Sequence, residues 1–159
     1  MRANLGWFTV VLMIGLASVA WAADNDNHQV TVTVEAINEL AITGGNITLT
    51  INTATAGSDP DAVQDATCGL LWTVNTTNKK ITVATNQASF DHTLLVVATG
   101  VSGGTAEPAV TLTNLAQDLV TAVAETLGSC TLEYTASATA AQGTQSVAHT
   151  ITYTITAAS

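Results

Sequence analysis

Few side chains in this chain can do chemistry: three histidines, two cysteines and one close group of carboxylates. His28, His92 and His149 are the candidates for proton transfer or metal ligation. Asp91 precedes His92, but neighbouring side chains on a strand face opposite ways, so this pair alone makes no proton relay. Nothing along the chain singles out a hydrolytic site, and no enzyme activity is expected. Asp59, Asp61 and Asp65 fall within one loop-like stretch, and calcium takes six to eight oxygens, often from such loops. The EF-hand pattern fails there, lacking glycine at its sixth position and glutamate at its twelfth. A solvated acidic loop with no cofactor is the favoured reading, and calcium is the alternative. Asn46-Ile47-Thr48 and Asn75-Thr76-Thr77 match the glycosylation acceptor triplet, which arises often by chance in a threonine-rich chain.

Cys68 and Cys130 are expected to form one disulfide, since neither has a histidine or a second cysteine close in sequence. Closing a loop of about 60 residues would stabilise the fold by about 4 kcal/mol on the chain-entropy model.

The compartment that would favour such a bond is suggested by residues 1–22. Arg2 precedes an apolar run from Trp7 to Val19, and Ala20-Trp21-Ala22 supplies small residues for cleavage after Ala22. The run is too short for a membrane span of about 20 residues. Gly6-Trp7-Phe8-Thr9-Val10 also resembles a type IV prepilin processing site, but Val11 stands where bacterial members carry glutamate. A secretory signal over 1–22 and one domain over 23–159 are therefore expected, outside the cell or on its surface.

Without the leader, Lys79 and Lys80 are the only basic residues against twelve acids. Such a surface repels phosphate backbones and anionic lipid, which argues against nucleic-acid and membrane partners. Trp72, Phe90, Tyr134 and Tyr153 are the remaining aromatics and all fall in or beside strand patterns, leaving little for a sugar-stacking platform.

The elements that would position these residues are strands. Val30-Thr31-Val32-Thr33-Val34, Ile47-Thr48-Leu49-Thr50-Ile51 and Thr150-Ile151-Thr152-Tyr153-Thr154-Ile155-Thr156 alternate strictly, giving one apolar and one hydroxyl-rich face. Threonine, about a fifth of the chain beyond the leader, suits exposed strand faces. The first strand continues loosely through Ile37, Leu40 and Ile42. Further strands are expected over 67–74, 81–85, 94–97, 110–113, 130–139 and 146–157. A helix is expected over 114–127, where Leu115, Leu119, Val123 and Leu127 recur every four residues behind a capping Asn114, with Gly128 as its stop. Seven to eight strands with one short helix predict an all-β, immunoglobulin-like or pilin-like β-sandwich.

The alternating segments at the two ends resemble those of exported fimbrial or pilin-like β-sandwich subunits. In that family an alternating extension of one subunit completes the sandwich of the next, by donor-strand complementation. The resemblance implies a donor strand within about 25–42, with Val30, Val32 and Val34 filling pockets. It also implies an acceptor strand carrying Ile151, Tyr153 and Ile155. The partner would be a second copy, and the product a homopolymer: an extracellular filament, pilus or surface layer. The pattern departs from chaperone–usher pilins, because the cysteines lie far apart and Tyr153 is six residues from Ser159. The alternative is a monomeric secreted binding module or adhesin, stabilised by calcium.

Overall fold

The computed structural model describes residues 25–158, so the expected leader and its cleavage site lie outside the described residues. The chain divides after Thr33. The described residues before that point, 25–33, contain no helix, strand or turn.

The second unit holds nine strands: β1 (Asn38–Thr43), β2 (Val63–Val74), β3 (Lys79–Thr85), β4 (Thr93–Ser102), β5 (Thr105–Ala106), β6 (Val110–Thr111), β7 (Gln117–Val123), β8 (Thr126–Ser137) and β9 (Ile151–Ala157). They form two antiparallel sheets, ordered β1-β2-β8-β4-β6 and β5-β7-β3-β9. The sheets enclose one core as a β-sandwich, the all-β class that the alternation predicts.

Period-two patterning builds that core. In β2, Cys68, Leu70, Trp72 and Val74 are buried while Leu71 and Thr73 face out. In β8, Cys130, Leu132, Tyr134 and Ala136 do the same. Ile81 and Val83 of β3, Val96 of β4 and Leu119 of β7 meet them from the other strands. Two close approaches fix the register. Gly128 lies directly opposite Trp72, and a β-carbon there would stand 2.0 Å from the indole. The indole Nε1 donates to the Gly103 carbonyl at 3.3 Å. A bulge between Asp65 and Cys68 shifts the β2–β8 ladder, and the Asp65 carboxylate accepts the Thr67 amide (2.9 Å) and hydroxyl (2.6 Å) there.

The helix expected over 114–127 is not formed. That stretch contains β7, a tight turn and the start of β8. A spacing of four is common to both periods: it marks one face of a helix, and as an even number it also marks one face of a strand. Leu119 and Val123 are buried on β7, whereas Leu115 and Leu127 are exposed. The only helical turn among the described residues is a 3₁₀ turn, Ala140–Gln142.

Candidate functional site

The four-stranded sheet ends at β9, which among the described residues pairs with β3 on one side and with no strand on the other. Beside it lies a groove of about 1380 Å³. The inward faces of the five-stranded sheet contribute Cys68, Leu94, Tyr134 and Ala136, and β9 contributes Ile151 and Tyr153. Ile42 of β1 also lines it and is 53% exposed, although it lies on the inward side with Leu40.

Residues 45–51 and 143–150 complete the lining. Both stretches contain residues whose alternation predicts strands, and neither is in a ladder. Among the described residues, 46–51 make no backbone–backbone hydrogen bond, and 144–149 make none either. Ile47, Leu49 and Ile51 still pack half-buried against the core. These side chains hold the stretch in place while its peptide groups have no partner strand. Among the described residues, a sheet position is thus open beside β9, bordered by backbone whose sequence pattern suits pairing.

Among the described residues, no Asp, Glu, Lys or Arg lines the groove. The Tyr134 and Tyr153 hydroxyls hydrogen-bond to each other, and burial pushes both phenols up from their ordinary range. Of the expected acceptor residues, Ile151 and Tyr153 line the groove, while Ile155 lies further along β9. The expected donor residues Val30, Val32 and Val34 are 70%, 81% and 74% exposed and belong to no strand. The loose continuation of that strand is instead a separate element, β1. Asn75 secures the chain between the two: its Oδ1 accepts the Ile37 amide (2.6 Å) and its Nδ2 donates to the Glu35 carbonyl (2.8 Å).

Two histidines expected on separate elements meet at the groove. His92 Nε2 and His149 Nε2 are 2.9 Å apart. His92 Nδ1 lies 3.1 Å from Gln145 Oε1, and His149 Nδ1 lies 3.0 Å from Thr85 Oγ1. Phe90 packs against both rings, at centroid distances of 4.9 and 4.6 Å. The desolvation of His149, together with the neighbouring His92, holds its pKa below the ordinary imidazole value.

The expected disulfide is absent: Cys68 and Cys130 are free, buried thiols. Cys68 pairs with Leu132 and Cys130 with Leu70, so the cysteines are diagonal on one face. Diagonal neighbours lie roughly 7–8 Å apart, whereas the β-carbons of a disulfide need about 3.5–4.5 Å. Burial pushes both thiols up, and Cys68 Sγ donates to the Gly45 carbonyl at 3.3 Å.

The calcium set is likewise not assembled. Asp59 Oδ1 accepts the Ala140 amide at 2.9 Å, and Asp65 is occupied at the bulge. Among the described residues, no three His, Cys, Asp or Glu side chains could together hold a metal ion. Sequence reading also passed over Gly100-Val101-Ser102-Gly103-Gly104, which spells the Gly-x-Ser-x-Gly of nucleophile elbows. Here Ser102 ends β4 in a turn toward β5 and is exposed. An elbow needs a helix after the serine, and none follows.

No protein-family model matches the chain, and no curated protein matches it in sequence.

Proposed function

We propose that this chain is a structural subunit of an extracellular filament or surface layer that polymerises by β-strand addition. The segment bearing Val30, Val32 and Val34 of one copy enters the groove of the next and pairs with the free edge of β9. The observation that carries this reading is the open sheet position beside β9, floored by apolar side chains and bordered by unpaired backbone. The proposed occupant suits it: residues 29–34 are uncharged, alternate strictly and pair with no strand among the described residues. Alternation gives register, because a slip of one residue would turn the valines to solvent. Burying three valines contributes on the order of 5 kcal/mol before ordering costs, and backbone ladder bonds add to it. Placement outside the cell is supported by the leader pattern alone.

The test is sedimentation of the full exported protein beside a variant lacking residues 25–34. The full protein should form polymers. The deletion variant should remain monomeric and bind one synthetic peptide of residues 28–36 per subunit. Polymers from the deletion variant, or a full-length monomer whose segment is protease-protected in its own groove, would refute the proposal.

A further inference from the structure

We propose that His92 and His149 form an acid-operated latch holding residues 143–150 against the groove, and that its release speeds entry of the incoming strand. This inference rests on the strand-addition reading and assigns that groove a means of regulation.

The argument is a count of protons along Thr85, His149, His92 and Gln145. Gln145 Oε1 only accepts, so His92 Nδ1 must donate to it. A neutral His92 then has a lone pair on Nε2, which accepts the Nε2–H of His149. His149 Nδ1 in turn accepts the Thr85 hydroxyl proton. Three links hold three hydrogens, all running one way. One added proton keeps all three links but charges a desolvated imidazole: it enters at His149 Nδ1, and Thr85 Oγ1 becomes the acceptor. A second proton has only His92 Nε2 to occupy, which sets two N–H groups of two cations head-on.

Among the described residues, no carboxylate hydrogen-bonds either ring to offset that repulsion. Asp91, beside His92 at the start of β4, is exposed and bonds neither ring. Phe90, packed on both, is neutral, as are Thr85 from β3 and Gln145 from the groove stretch. The groove lining has no carboxylate.

Losing the central link matters because residues 144–149 have no backbone–backbone bonds among the described residues. With the imidazole chain broken, the hydrogen bond from Gln87 Nε2 to the Ala148 carbonyl (2.7 Å) and the Asn86–Thr150 bonds remain. The direction in pH follows from His149, whose pKa is lowered while the latch is closed. The closed form binds fewer protons than the released form. Its stability is therefore fully present above the released imidazole's value and is lost as pH falls through the lowered one.

The experiment uses the variant lacking residues 25–34 and the peptide of residues 28–36, at about pH 7.5 and about pH 4.5. Association should be about tenfold faster in acid, as the binding-competent population grows. Backbone order parameters of residues 144–149 should fall from about 0.85 toward 0.6. His92→Gln, which keeps a neutral hydrogen-bonding group, should abolish both responses. Unchanged order parameters, a pH-independent association rate, or an undiminished response in His92→Gln would overturn the latch. Failure of the peptide to bind at either pH, with order parameters still falling in acid, would overturn strand addition instead.

Discussion

Gly128→Ala should damage the sandwich far more than the addition of one methyl group suggests. The new β-carbon would stand 2.0 Å from Trp72 Cε2 and Nε1 and 2.4 Å from Cζ2. Comfortable carbon contacts begin near 3.5 Å, so strand or ring must give way by about 1.5 Å. The ring has little freedom: Trp72 is 3% exposed, and its Nε1 is bonded to the Gly103 carbonyl. Overpacking of this kind costs about 1–3 kcal/mol, and loss of the indole hydrogen bond about 1 more. Removing a flexible glycine from a strand returns about 0.5–1 kcal/mol. The net expected loss is about 2–3 kcal/mol, a large part of the 5–15 typical of a domain. Urea unfolding measures it, and in protein beginning at Ala23 the only tryptophan, Trp72, reports its own displacement by fluorescence. Adding Gly128→Ala to a Trp72→Leu background, followed by circular dichroism, should cost no more than about 0.5 kcal/mol, because the clash is gone. An unchanged midpoint and unchanged emission in the single variant would refute this account of the β2–β8 contact.

Val32→Asp should abolish assembly while leaving subunit stability within about 0.5 kcal/mol, since this exposed residue lies outside any ladder; a large fall in melting temperature would show that it packs within its own subunit. Reductant should leave the urea midpoint unmoved, and two thiols per chain should react only after unfolding, because Cys68 and Cys130 are 5% and 7% exposed; a lower midpoint with reductant would reveal a bridge. The Thr67 hydroxyl and amide hold Asp65 below its ordinary carboxylate value. Its contribution is therefore present at neutral pH and lost as pH falls through that lowered value, and Asp65→Asn should flatten this part of the stability profile. An acid limb identical to that of the unmodified protein would contradict that role.

Strands with one buried face and a partner were legible where the alternation is regular, and β7, expected as part of a helix, was not. The pattern of Cys68, Leu70, Trp72 and Val74 announces β2, and that of Ile151, Tyr153 and Ile155 announces β9. The same pattern over-predicts strands at residues 46–51 and 146–150, because alternation encodes a face and cannot report whether a neighbour is present. Those two errors border the open sheet position, so they carry information about the site. The four-residue spacing of Leu115 to Leu127 fits both periods, and no local signal chooses between them. Pairing of Cys68 with Cys130 was out of reach for a different reason: adjacency of β2 and β8 brings them close, and only the register makes them diagonal. The meeting of His92 with His149 depends on the fold bringing residues 57 apart together, which composition and spacing do not express.

The Asn75 carboxamide, bound at once to Glu35 and Ile37, sets the root of a tether. From that root, residues 25–34 extend at most about 33 Å at roughly 3.3 Å each. A neighbour that captures Val30 to Val34 must come nearer still, with its farthest engaged contact, at Val30, within about 17 Å of Glu35. Under the proposed strand addition, leash length would bound the spacing between successive molecules, and lengthening residues 35–37 would loosen such an array before it weakened any single contact.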